Sequence, residues 1–414
     1  MGQTIAPPEV FWTGGEVAQD RNHRNRLSGC PRQWRGVGEG GRGPMGAFEL
    51  QRDLAQCFHY AVQYQSDSLR IGLTSEDPLP DHVLASVSPY ITVKAEASCR
   101  SYSHNILVFN RDAVDVPTLP FDPSARIELH CGRHGVVRGS RPGPLYVDTV
   151  EEDLSYIIDR KSVLVLGNMA ETAVQFDLIR IIRGVFEAML HDLGYSKLHM
   201  GQLRVRDIGV GICGPKGSGK TTLICRTLAS IPEVSFCSND KSYVSVQDGT
   251  VTAIGMPQRI GIQDGTLSEY PDLLRRISLR SGQKTYVWPH DFSETFGTPV
   301  IPSNGVDLIL TPDFDLSQST VKIGRLDAGA VDDLLSHDVL EFTDNVHPRW
   351  LTDLLQEAEA QLGAKDQMKR ALAAIPWYKI SGNFSCGTFS SAVIALVESA
   401  RTRPCEEAEQ RRSH

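Results

Sequence analysis

The sequence predicts an α/β protein: a β-rich N-terminal domain followed by a domain built on a strand, a glycine-rich loop and a helix. Three observations predict it. Between residues 67 and 150, short runs rich in β-branched and aromatic residues alternate with clusters of Pro, Gly and Asp, the pattern of strands and turns. The stretch "ETAVQFDLIRIIRGVFEAMLHDLG" (171–194) repeats apolar residues at helical spacing. The stretch "RDIGVGICGPKGSGKTTLICRTLAS" (206–230) reads as an apolar strand, a loop and a helix.

Residues 1–46 carry no apolar periodicity. Their Gly-, Arg- and Asn-rich run buries too little to offset the entropy of ordering, so it reads as a disordered leader, or as sequence upstream of a true start at Met45. Helical patterning begins at "MGAFELQRDLAQCFHYAV" and opens the β-rich domain, residues 47–165. Its strands are read in "SLRIGLTS", "YITVKAEA", "HNILVFNRD", "ARIELHCG", "PLYVDTV" and "KSVLVLGN".

The second domain, residues 166–400, starts with the long helix. Val174, Leu178, Ile181, Ile182, Val185, Phe186, Met189 and Leu193 mark its apolar face, and Gly194 is placed to end it. "VSFCSND" (234–240) is the strand after the loop and its helix. "HPRWLTDLLQEAEAQLG" and "SSAVIALVESA" read as closing helices, and residues 401–414 as a frayed tail.

Composition narrows the function. A net charge of −8 argues against nucleic acid as the partner. No apolar run reaches the roughly 18 residues of a membrane span, and the N-terminus lacks a basic and apolar signal pattern. Nine cysteines form no C-x-x-C pair, which reads as reduced thiols and a cytoplasmic protein.

Gly214, Gly219, Lys220 and Thr221 complete G-x-x-x-x-G-K-[ST], the phosphate-binding loop or P-loop. The loop Gly214, Pro215, Lys216, Gly217, Ser218, Gly219, Lys220, Thr221, Thr222 is expected to curl its N–H groups around phosphates at a helix N-terminus. Lys220 is expected on the β- and γ-phosphates of ATP, and Thr221 on Mg²⁺. Asn239 and Asp240 close the following strand, where a carboxylate can bind metal or take the acceptor's proton; the same residues also suit an ordinary turn.

Other P-loop classes fit less well. "GVDLILTPD" looks like a Walker B strand, but Pro312 interrupts it before Asp313 and no Glu follows, so it reads as a core strand. There is no L-S-G-G-Q and no N-K-x-D. "HCGRH" sets His130, Cys131 and His134 at ligand-like spacing without a second pair.

From 199 to 325 the chain resembles the HPr kinase-like proteins, whose nucleotide domain is shared in outline with phosphoenolpyruvate carboxykinase. The resemblance is carried by "KLHMGQLRVRDIGVGICGPKGSGKTTL", "FCSND", "AIGMPQRIGIQDGT" and "VDLILTP". It implies a P-loop nucleotide domain of HPr kinase/carboxykinase type, with ATP and Mg²⁺ as cofactors. It implies that His199 faces the transferred phosphate, that Lys220 holds phosphate and that Thr221 meets Mg²⁺. Asp240 matches the second of the family's paired aspartates; Asn239 stands in place of the first. Either Asp240 is the base and metal binding rests on Thr221 and the phosphates, or Asp240 holds Mg²⁺ and His199 helps remove the proton.

Cationic help is expected from "LLRRISLRSGQKTYVWPHDF", chiefly Arg280 and Lys284, which flank Ser281-Gly282, with His290 and Asp291 near the same site. The expected activity is transfer of the γ-phosphoryl group of ATP to a hydroxyl of a small molecule, such as a nucleoside, sugar or amino-acid derivative, the β-rich domain shaping one side of the pocket. A protein or peptide serine kinase and a non-catalytic ATP sensor are the alternatives. The resemblance also implies a homo-oligomer, though no residue in the chain marks an interface.

Overall fold

The computed structural model describes residues 54–65, 69–97, 102–113, 126–129, 133–140, 143–150, 153–340, 350–355 and 362–412. The leader, the alternative start at Met45, and His130 and Cys131 of the "HCGRH" run lie outside the described residues.

The first strands are β1 (Phe58–Tyr64), β2 (Arg70–Ser75), β3 (Ile91–Glu96), β4 (Asn105–Phe109), β5 (Arg126–Glu128), β6 (His134–Arg138), β7 (Leu145–Thr149), β8 (Ser155–Asp159) and β9 (Ser162–Leu166). A short helix, α1 (Asp81–Val87), links β2 to β3. All nine strands form one sheet in the order β3-β1-β2-β4-β9-β8-β7-β6-β5. Alternation along the strands divides its faces. Val163 and Val165 of β9 join the core beneath helix α2 (Thr172–Asp192), whereas Leu164 and Leu166 meet Phe109 and Tyr146 on the other side.

The apolar face read along α2 is buried from Val174 to Met189. Leu193 is the exception: it is the C-cap and is exposed. Gly194 follows with φ +83, the left-handed conformation that ends the helix. A larger departure is β1. Helical patterning was expected to continue through "FHYAV", yet the segment is a strand paired antiparallel with both β2 and β3. Two flanking strands satisfy its backbone groups, and that non-local pairing overrides the local spacing.

The chain continues as β10 (Ser196–Leu198), β11 (Gly201–Val205), β12 (Ile208–Ile212), α3 (Lys220–Ser230), β13 (Val234–Ser238), β14 (Ser242–Gln247), β15 (Thr250–Ile254), β16 (Ile260–Gln263) and α4 (Asp264–Leu267). Then come β17 (Leu279–Ser281), β18 (Lys284–Val287), α5 (Pro289–Phe296), β19 (Ser303–Gly305), β20 (Leu308–Phe314), β21 (Val321–Arg325) and α6 (Ala328–Leu334). The last elements are α7 (Trp350–Leu355), α8 (Leu362–Ala374), β22 (Trp377–Gly382) and α9 (Phe389–Arg412). The final turns of α9 enter the stretch for which the sequence predicts a tail.

A six-stranded sheet, β13-β11-β12-β20-β22-β21, is the middle layer. Leu308 and Leu310 of β20 face Leu223 and Ile224 of α3 and Val393 of α9. Ile309 and Trp377 face the opposite way, against Val244 and Val251 of the four-stranded sheet β10-β14-β15-β19. The three central strands β12, β20 and β22 are parallel. Parallel strands leave their carboxyl ends at one edge, where the loop after β12 emerges beside the end of β20.

Pro312 does not interrupt β20, which runs through it to Phe314. Pairing with β12 stops at Leu310, so the missing proline N–H falls beyond that neighbour. Asp313 at its end is ion-paired with Lys379 at 2.9 Å.

The nine-stranded sheet is tied to the second half by buried polar contacts. The Tyr64 hydroxyl lies 2.8 Å from the Gly255 carbonyl and 2.7 Å from that of Pro302, and the Tyr90 hydroxyl donates to the Cys237 carbonyl at 2.5 Å. Arg259 is stacked between Phe176 and Trp288, at 4.6 and 4.7 Å from their ring centres. Among the described residues, no helix is long and apolar enough to cross a membrane.

Candidate active site

The loop between β12 and α3 is set by glycine backbone. Gly214, Gly217 and Gly219 have φ values of +143, +88 and +100. At Gly219, the N-cap of α3, a Cβ would also come within 2.7 Å of Phe314, so any other residue meets both strain and contact. The other side is pinned by Cys213 N–H on the Leu310 carbonyl at 3.0 Å and Phe314 N–H on the Ser218 carbonyl at 3.1 Å.

Lys220 opens α3 and folds back along the loop, where its Nζ donates to the Gly214 and Pro215 carbonyls at 2.8 and 3.2 Å. Burial lowers its pKa, and the Lys284 charge pushes the same way, against the opposing pull of Asp240, Cys213 and Asp338. The N–H groups of Gly217, Gly219, Lys220 and Thr221 have no protein acceptor among the described residues. Ser218 Oγ and Thr311 Oγ1 are buried without a hydrogen-bond partner, the latter on β20 behind the loop. These donors around a lysine could hold an anion with several oxygens. Pro215, Lys216 and Gly217 are exposed at the mouth of the loop, and Thr221 is half-buried. Thr222 turns aside, its Oγ1 2.8 Å from that of Thr266 on α4.

The second half of the site is built where the chain twice crosses between two sheets. β10 leads through His199 and Met200 into β11, and β13 leads through Asn239, Asp240 and Lys241 into β14. Pairing of Leu198 with Ser242 and of Gln202 with Ser238 places the two crossings side by side. Ser242 Oγ donates to the Met200 carbonyl at 2.8 Å and stitches them together. The approach is close: a Cβ on Gly201 would lie 2.6 Å from the Asn239 carbonyl oxygen.

The result is a pair, with His199 Nε2 3.1 Å from Asp240 Oδ1. The other ring nitrogen, Nδ1, lies 3.0 Å from the Asp338 carbonyl. Burial alone would raise the Asp240 carboxyl; the hydrogen bond and charge of His199, with the charges of Lys241 and Lys220, overturn this and hold it at about 2. Asn239 is half-buried and its Oδ1 has no donor.

The expected cations separate. Lys284 begins β18, opposite Gln263, and its charge is felt at Lys220. Arg280 is exposed and paired with Asp264 at 3.4 Å. His290 and Asp291 interact with Arg276 and Glu294 in a surface network, rather than with His199 or Asp240. No group of three or more His, Cys, Asp or Glu side chains suited to a metal occurs among the described residues.

No family model matches the chain, and no curated protein matches it. Among solved structures it is similar to the HPr(Ser) kinase/phosphatase from Coxiella burnetii, at 12% identity and a TM-score of 0.28, over 53% of this chain and 98% of that one. A likeness that distant carries no functional argument.

Sequence reasoning missed Asp338 and Thr311. Asp338 touches His199 through its main chain, which leaves no signature in residue type. Thr311 sits two residues before Asp313 in a strand read only as core.

Proposed function

We propose that the chain is an ATP-dependent kinase that transfers the γ-phosphoryl group to a hydroxyl of a small molecule. One observation carries this reading: the His199–Asp240 pair lies within electrostatic reach of Lys220, so a carboxylate and a phosphate-binding lysine share one site. A site that only held a nucleotide would need the loop alone.

The loop N–H groups, Ser218 and Lys220 bind the phosphate chain and neutralise charge that develops on it. Lys284 adds a second positive charge within electrostatic reach of Lys220. Asp240 receives the acceptor hydroxyl and takes its proton as the oxygen attacks the γ-phosphorus. The bond from that phosphorus to the β–γ bridging oxygen breaks, and ADP leaves with that oxygen. His199 holds Asp240 ionised and oriented. With Asp240 as the base, Thr221 and the phosphate oxygens would hold Mg²⁺, which when bound would screen the phosphate charge. Cys57, Cys213, Cys225, Cys237 and Cys386 form no disulfide with one another, which supports a reducing, cytoplasmic setting.

The test follows the label of γ-labelled ATP. Purified protein and Mg²⁺ are mixed with an extract of the cells that make it, then separated into small molecules and proteins. Label on a new small molecule supports the proposal. Label on a protein or peptide moves the reaction to a serine kinase, and ATP binding without transfer to either fraction leaves a sensor in which Asn239 has ended the chemistry.

A further inference from the structure

Helix α6 does not stop as an ordinary helix. After Leu334 the backbone widens by one residue per turn: Leu340 N–H reaches the Leu335 carbonyl at 3.0 Å, an i to i+5 bond, over the π-turn Leu335–Val339. Such turns insert an extra residue into a helix and redirect the groups around it. Here Leu335 and Val339 are fully buried against Leu198, Met200 and Cys213, which flank His199 and the start of the loop. Two successive carbonyls then point at one residue. Val339 accepts from the His199 N–H at 3.2 Å, and Asp338 lies 3.0 Å from His199 Nδ1.

We propose that this π-turn is the positioning element of the site, fixing the His199 backbone through Val339 and its ring through the Asp338 carbonyl, so that Nδ1 carries hydrogen and Nε2 is aimed at Asp240. The inference rests on the proposed kinase reading for its catalytic meaning, but the anchoring is a property of the fold. A carbonyl oxygen only accepts, so the contact requires hydrogen on Nδ1. Nε2 faces the Asp240 carboxylate, which also only accepts, so both contacts are met by a ring with hydrogen on each nitrogen, and the ring cannot flip without losing its anchor. An ordinary α-turn would rotate the Asp338 carbonyl away from His199. The Asp338 carboxylate plays a separate part: its charge acts on Lys220, where it opposes the arrival of phosphate oxygens.

The test uses full-length protein with ¹⁵N-labelled histidine. His199 is assigned by the signal missing in His199→Gln, and the ring is read at a pH where an ordinary imidazole is neutral. Hydrogen on Nδ1 is expected; a bare Nδ1 with hydrogen on Nε2 alone would overturn the proposal. Deleting His337, an exposed residue of the turn, removes the extra position and should cost about 100-fold in kcat, the scale of an ångström misplacement, with KM for ATP held within about twofold. Unchanged kcat in a folded deletion variant also overturns it, and should that variant fail to fold, the hydrogen on Nδ1 of the wild type decides alone. Asp338→Asn keeps the carbonyl and should keep hydrogen on Nδ1, while binding ATP about three- to tenfold more tightly through loss of a repelling charge. Hydrogen on Nδ1 in a protein that transfers no phosphate supports the anchor and removes the kinase reading.

Discussion

His199 Nε2 lies 3.1 Å from Asp240 Oδ1, at a corner where two chain crossings meet. Since Nδ1 faces the Asp338 carbonyl, both ring nitrogens look at atoms that can only accept, and the doubly protonated ring satisfies both contacts. The pair predicts an acid-stability signature. Asp240 is held at about 2, below its ordinary 3.8, so the native state favours its ionised form. That contribution is complete above 3.8 and fades as pH falls from 3.8 through about 2. Asp240→Asn should melt below wild type near neutrality, and the gap should close across that acid window. A gap that stays constant through it would remove the linkage from Asp240.

Turnover and binding should separate between Asp240 and Lys220. Asp240→Asn removes the proton acceptor without touching the loop, so kcat should fall about 10²- to 10⁴-fold while nucleotide still binds. Lys220→Met removes the charge that meets the phosphates and should weaken ATP binding as well as turnover. Titration calorimetry beside steady-state kinetics distinguishes the two. Equal loss of ATP affinity in both variants would place Asp240 on the nucleotide rather than on the acceptor.

Arg280 and Lys284, equal candidates by sequence, should behave differently. Arg280 is exposed and engaged by Asp264, whereas the charge of Lys284 reaches Lys220. Lys284→Ala should lower kcat/KM for ATP about tenfold or more, as expected for a lost charge at a phosphate site. Arg280→Ala should stay within about twofold. The reverse ranking would mean that the β17–β18 hairpin closes over the ligand with Arg280 inward.

What could be read from the sequence followed the range of the interactions. Helix α3 starts at Lys220 as the motif implies, and the buried stripe of α2 is visible because its spacing is local. β1 was misread because its strand character lies in β2 and β3, segments outside its own window. Pro312 misled for a similar reason, since its cost depends on where the neighbouring β12 ends. The proximity of His199 and Asp240 is set by the pairing of Leu198 with Ser242 and Gln202 with Ser238, which no spacing along the chain encodes. Asp338 was invisible for a different reason, because any residue has a carbonyl.

Gly201 offers a direct test of that corner. It has no left-handed backbone to protect, so its reason for being glycine is space. A Cβ there would sit 2.6 Å from the Asn239 carbonyl oxygen and 2.9 Å from Ile224 Cδ1. The isoleucine can turn aside; the carbonyl cannot move without carrying Asn239 and Asp240 with it. Gly201→Ala should therefore displace Asp240 from His199, lowering kcat about 10- to 100-fold, with a stability loss of about 1–3 kcal/mol. ATP affinity should hold, because the loop is held by β12 and β20 instead. Gly194→Ala is the matched control: φ is +83 but nothing lies within 4 Å, so it should cost about 1 kcal/mol of backbone strain and leave kcat unchanged. Equal kinetic losses in the two variants would trace the Gly201 effect to general destabilisation. A loss confined to Gly201→Ala ties turnover to the spacing of the two crossings.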